Sequence, residues 1–89
     1  MIEKDVEIIN QLGLHARAAA KFVSTASQFS SEIYLAKGRQ KINGKSIMGV
    51  MMLAASKGTI LHLSVDGEDE EEAASAITQL MQDRFGEEQ

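Results

Sequence analysis

Apolar and polar residues alternate at four places along the chain, at two others the apolar ones recur at helical spacing, and one further short stretch is apolar on every side. Ile2 to Ile9 reads as a strand, with Val6 and Ile8 on one face and Glu7 on the other. Asn10 to Leu14 forms a loop punctuated by Gly13. From Ala16 to about Ser27 the spacing of Ala19, Phe22, Val23 and Ala26 predicts a helix with one core-facing stripe. Ile33 and Leu35 alternate with Glu32 and Tyr34 in a second strand. Lys37-Gly38 then supplies a hairpin turn, and Gln40 to Ile42 make the return strand.

Asn43-Gly44 marks another turn, and Ser46 is placed to cap a short helix running to about Leu53. After Lys57-Gly58, Leu61, Leu63 and Val65 alternate with His62 and Ser64 in a fourth strand. A last helix begins at Asp69, turns Ala73, Ile77, Leu80 and Met81 inward, and is closed by Phe85-Gly86. The order β-α-β-β-α-β-α predicts an α+β fold, its helices covering one face of a mainly antiparallel sheet. Periodicity leaves the strand order open, and a ferredoxin-like arrangement fits the pattern as well.

Composition narrows the function classes. Eighty-nine residues make a single small domain, 1–89, which buries about 60–65% of its unfolded surface. With three Phe, one Tyr and no Trp, no large aromatic-lined pocket is expected, so function is sought on the surface. The absence of cysteine removes disulfides, thiolate nucleophiles and Cys-ligated metals together. The first residues, Met1-Ile2-Glu3-Lys4-Asp5, lack a signal peptide's apolar core, and no apolar run approaches membrane-spanning length. A cytoplasmic chain without membrane insertion is expected. A formal net charge of −4 argues against nucleic-acid binding.

The stretch Gly13-Leu14-His15-Ala16-Arg17-Ala18-Ala19-Ala20 carries the most chemistry. It sets a histidine and an arginine at the mouth of a helix, where first-turn N–H groups lack partners and the dipole is positive. Such a mouth suits phosphate, and a histidine beside it can carry phosphate covalently. The dipole disfavours imidazolium, so His15 is expected to be uncharged and nucleophilic near pH 7. Arg17 can offer phosphate a planar pair of donors. On these residues alone, a solvent-exposed cap at His15 and a solubilising charge at Arg17 are the slightly favoured reading.

Gly-Leu-His-Ala-Arg followed by small residues and Phe22-Val23 resembles the active-site signature of HPr, the histidine-containing phosphocarrier family of the bacterial phosphoenolpyruvate-dependent phosphotransferase system. A second block, Asn43-Gly44-Lys45-Ser46-Ile47-Met48-Gly49-Val50-Met51, resembles the family's regulatory serine segment, in the family's order and at its separation. The resemblance implies a two-layer open-faced β-sandwich, a four-stranded antiparallel sheet in the order 1-4-2-3 with three helices on one face. It implies a stoichiometric phosphocarrier, not an enzyme, without cofactor or metal and monomeric. His15 would accept phosphate on Nδ1 from phosphorylated Enzyme I and pass it to an Enzyme IIA-type protein, in sugar transport or a regulatory branch. Ser46 would be the site of HPr kinase/phosphorylase, and Ala20, Ile47, Met48 and Met51 would face partners.

The chain departs from the family pattern at Ala18, where proline is common; this chain contains no proline. Alanine keeps the helix and adds an N–H to its first turn. Gly44-Lys45-Ser46 ends like a P-loop, but the upstream glycine such a loop requires is missing near Gln40-Lys41, so nucleotide binding is rejected. Core packing is expected to absorb most of the apolar residues between Ile47 and Leu53. His62 reads as a solvent-facing strand residue, and the run Glu68-Asp69-Glu70-Glu71-Glu72 as complementing the last helix's dipole.

Overall fold

The computed structural model describes residues 1–88. Its elements are β1 (Ile2–Glu7), α1 (Ala16–Ala26), β2 (Glu32–Lys37), β3 (Gln40–Asn43), α2 (Ile47–Met52), β4 (Ile60–Asp66) and α3 (Glu70–Gln82), followed by a 3-10 turn at Arg84–Gly86. The strands form one sheet in the order β1-β4-β2-β3, every neighbouring pair antiparallel. β2 and β4 occupy the centre. The order left open by pattern is therefore the one the resemblance implied, and not the ferredoxin-like one.

Period-two alternation fixes which side of the sheet is buried. Register sets Val6 opposite Leu61, Ile33 opposite Val65 and Leu35 opposite Leu63, all buried on one face. Against this face pack Ala18, Ala19, Phe22 and Ala26 of α1, Val50 of α2, and Ala73, Ala74, Ile77 and Met81 of α3. The other face carries Glu3, Asp5, His62 and Tyr34, each at least partly exposed. Half-burial of a two-layer domain follows directly: one face is core and the other is wet.

Two boundaries differ by two residues or more from the sequence expectation. β1 stops at Glu7 instead of Ile9, although Ile8 still donates to Thr59 O (2.9 Å) and accepts from Gly58 N (2.7 Å). α3 ends at Gln82, because Arg84 and Phe85 both adopt left-handed backbone (φ 56°). Phe85 thus enters the core from a separate turn, 1% exposed. The acidic run also does more than complement a dipole. Asp69 makes no side-chain cap to its own helix; its carboxylate accepts from the N–H groups of Ser30 (2.9 Å) and Ser31 (3.0 Å) and from the Ser31 hydroxyl, tying the α1–β2 connection to the start of α3. These hydrogen bonds, the Ser31 hydroxyl first, hold the Asp69 carboxyl below its ordinary pKa.

His62 faces solvent as expected, but it is not isolated. Its Nε2 lies 3.0 Å from Glu3 Oε1 and its Nδ1 3.0 Å from Asp5 Oδ1, across the β1–β4 pair. The hydrogen bonds to Glu3 and then Asp5 raise its pKa above the ordinary 6.5. A raised folded-state pKa contributes stability that is complete below the unfolded value and fades as pH climbs through the folded one. His62→Gln is therefore expected to lower Tm more at about pH 6 than at about pH 9. Thermal melts of both proteins at the two pH values check this, and equal differences would remove the linkage.

Candidate functional site

The loop before α1 is held rigidly by backbone geometry. Gly13 has φ +67°, and a Cβ there would lie 2.5 Å from Ala55 O, so only glycine fits without displacing backbone. Gly13 N donates to Asn10 O (3.2 Å), and Leu14, buried, donates to Ala55 O (2.8 Å). The fully buried Asn10 closes the loop from inside, its Nδ2 donating to Gly13 O at 2.8 Å. The segment thus delivers His15 to a fixed position.

His15 is the N-cap of α1 (φ −73°, ψ 176°), and its carbonyl accepts the first helical bond, from Ala19 N at 2.8 Å. Its side chain makes no capping bond. The N–H groups of Ala16, Arg17 and Ala18 consequently have no acceptor within the helix. Arg17 is exposed, with no ion-pair or hydrogen-bond partner among the described residues. Ala18 is fully buried through its methyl, and Ala20 is exposed on the same helix.

A residue that sequence reasoning missed completes the site. After α3 the left-handed pair Arg84-Phe85 reverses the chain, Phe85 anchors it in the core, and Lys21 Nζ from α1 donates to Phe85 O at 2.7 Å. This returns Glu87 to the mouth of α1. Its Oε2 meets His15 Nε2, and its Oε1 accepts from Asn10 Nδ2 at 3.0 Å. The His15 side chain is 29% exposed and that of Glu87 14%. Burial pushes the Glu87 pKa up, but the hydrogen bonds from Asn10 and His15, with the charge of Lys21 nearby, outweigh it and leave it lowered. No local sequence signal marks a contact across 72 residues.

The second block stands on α2. Lys45 N bonds Asn43 Oδ1 (2.8 Å) and Ser46 N bonds Asn43 O (3.1 Å), forming the turn that presents Ser46. Gly44 fits there because a Cβ would come within 2.8 Å of Ile33 Cγ2. Ser46 caps α2, its Oγ accepting from Gly49 N at 3.1 Å. The expectation that core packing absorbs most of α2's apolar residues is corrected. Only Val50 and the following Leu53 are buried, while Ile47 (41%), Met48 (68%), Met51 (42%) and Met52 (64%) stay exposed. A six-residue helix lying on α1 and β3 can turn just one side inward. Leu12, in the loop before His15, is exposed as well (68%).

Among the described residues no group of three or more His, Asp or Glu side chains converges as a metal site. A cleft of about 260 Å³ lies between β1 and α3, lined by Lys4, Val6, Thr78 and Met81 and by none of the residues named for the phosphate chemistry.

The chain is similar to known proteins over nearly its whole length. The family model described as "PTS HPr component phosphorylation site" matches residues 2–83. The phosphocarrier protein HPr of Neisseria meningitidis is 58% identical over 87 residues, covering 98% of each chain. The crystal structure of HPr-C-His from Thermoanaerobacter tengcongensis is 53% identical, with TM-score 0.96 over all of both chains. A crystal structure of an HPr dimer from the same organism, also 53% identical, has TM-score 0.79 over 98% of this chain and all of the other.

Asn10 is the hub that ties the loop to Glu87, so Asn10→Ala is expected to lower stability by about 1–3 kcal/mol, leaving Gly13 O and one Glu87 oxygen without a buried donor. Denaturant unfolding measures the loss. An unchanged midpoint would show that these bonds are not needed to hold the loop.

Proposed function

The chain belongs to the HPr phosphocarrier family of the phosphoenolpyruvate-dependent phosphotransferase system, and on that premise we propose that it carries the phosphoryl group on His15. The observation that carries this reading is the position of His15: N-cap of α1, its side chain free of capping duty, next to three N–H groups without helical acceptors. Phosphate oxygens bound there would accept from the N–H groups of Ala16, Arg17 and Ala18, and the exposed guanidinium of Arg17 supplies a cation in the same turn. His15 forms the bond; Arg17 stabilises the charge that arrives with it.

Phosphorylated Enzyme I is the proposed donor, and an Enzyme IIA-type protein the proposed acceptor. Docking is assigned to Ala20 of α1 and to Ile47, Met48 and Met51 of α2, an exposed apolar surface whose methionines adapt to more than one partner. The carrier works stoichiometrically, as a cytoplasmic monomer. Among the described residues no helix is long and apolar enough to cross a membrane. Ser46 is proposed as the regulatory site for HPr kinase/phosphorylase. As the cap of α2 its hydroxyl sits where added negative charge is compatible with the helix.

Incubation with phosphoenolpyruvate and Enzyme I is expected to yield acid-labile phosphate on wild type and none on His15→Ala, whose Tm stays close to wild type. Arg17→Ala should still be phosphorylated but more slowly, within the roughly 1.5–3 kcal/mol of one charge-assisted hydrogen bond. Phosphosite mapping and single-turnover rates test both. Full transfer to His15→Ala would end the reading, and acid-stable phosphate alone would move the function to Ser46.

Phosphorylated Ser46 is expected to slow transfer to His15 without lowering Tm. Its charge of roughly −2 must be desolvated at the edge of the docking surface, while the first turn of α2 still welcomes it. Ser46→Asp should act in the same direction, more weakly. Melts and Enzyme I transfer rates on the phosphorylated protein decide it; a lower Tm with an unchanged rate would reverse the mechanism.

A further inference from the structure

An imidazole offers two nitrogens to a phosphoryl donor, and a free helix mouth does not by itself choose between them. In this structure the two nitrogens of His15 are unlike. Nε2 is in contact with Glu87 Oε2, whereas Nδ1 has no hydrogen-bond partner among the described residues. An ionised carboxylate can only accept, so the contact requires hydrogen on Nε2, and in the neutral ring, the form that can act as a nucleophile, the lone pair is then on Nδ1. We propose, taking His15 as the phosphoryl acceptor, that Glu87 is a positioning residue that occupies Nε2 and thereby directs the phosphoryl group to Nδ1.

Glu87 is built to hold that place. Asn10, fully buried, donates to its other oxygen at 3.0 Å, and the buried Phe85 fixes the backbone two residues before it. The carboxylate is itself largely covered, which strengthens a charge-assisted bond by excluding water. Its pKa is lowered, so it stays ionised and acceptor-only at neutral pH. Glu87 also lies beyond residues 2–83, the stretch that the family model matches.

The step balances without a further reactant. The Nδ1 lone pair forms a bond to phosphorus as the donor's P–N bond breaks, and that electron pair leaves with the donor nitrogen. The ring keeps its Nε2 proton and becomes cationic, and the Glu87 carboxylate already faces that charge. A second function of the contact follows: it stabilises the phosphorylated ring's cationic form, in which phosphate is held before onward transfer.

The test uses the full chain and phosphoramidate as donor, so no partner protein is needed. Ammonia leaves, and phosphorus and nitrogen NMR distinguish Nδ1- from Nε2-phosphohistidine. Wild type is expected to carry phosphate on Nδ1. Glu87→Ala should add the Nε2 isomer, and Glu87→Gln, which fills the same space but can donate to Nε2, should slow Nδ1 phosphorylation. Without any donor, two-bond nitrogen–proton spectra of the His15 ring should show the Nδ1–H tautomer gaining about tenfold in Glu87→Gln relative to Nε2–H, the bias expected when one charge-assisted bond is exchanged. Modification of Glu87→Ala solely on Nδ1 at the wild-type rate, or an unchanged tautomer balance in Glu87→Gln, would overturn the proposal. If wild type takes no phosphate at all, the phosphocarrier reading fails instead, and the donor-free spectra still decide the role of Glu87.

Discussion

Burial of one face of α1 is the constraint from which the rest of the arrangement follows. Ala18, Ala19, Phe22 and Ala26 are each fully buried. Three of the four are alanines, which let neighbouring helices approach α1 closely while Phe22 supplies the bulk. α1 is also the element against which α2, α3 and the C-terminal turn all pack. Its orientation therefore sets three things together: where the helix mouth opens, where the cap of α2 stands, and where the chain end can reach. A shift of α1 on the sheet would disturb all of them.

Polar side chains then fasten the loops to this frame, and each does so at a distance in sequence. Asn10 joins Gly13 and Glu87; Asp69 joins Ser30 and Ser31; Lys45 Nζ donates to Phe29 O at 2.6 Å. In each case the groups bridged include a backbone amide or carbonyl of a connection that strands and helices leave unpaired. The loops are ordered because side chains satisfy their backbone polar groups.

This division explains what could be read from the sequence. Strands and helices announce themselves through local period, and the alternation in Leu61, Leu63 and Val65 or the stripe in Ala19, Phe22 and Ala26 needed no tertiary information. Strand order did need it and came by resemblance, since β1 and β2 are separated in space by a strand that comes later in the chain. His15, Arg17 and Ser46 stood out because their chemistry is tied to helix starts, which have local signals. Glu87 did not, because a glutamate near a chain end is indistinguishable from a solubilising charge until the backbone reversal at Arg84-Phe85 is known. The methionines of α2 misled in the opposite sense: apolar character was legible, but a six-residue helix has too little surface to bury them.

The two faces of the sheet have one more consequence. His62, Glu3 and Asp5 sit on the wet side, while His15, Asn10 and Glu87 belong to the layer beyond the core, and the two sets share no hydrogen-bond partner. Groups without common partners contribute to free energy additively. Charge on the outer sheet face can thus drift or be redesigned, altering solubility and the pH at which the domain is most stable, without entering the energetics of the helix mouth. The open face is a neutral margin, where sequence can vary while the chemistry stays put.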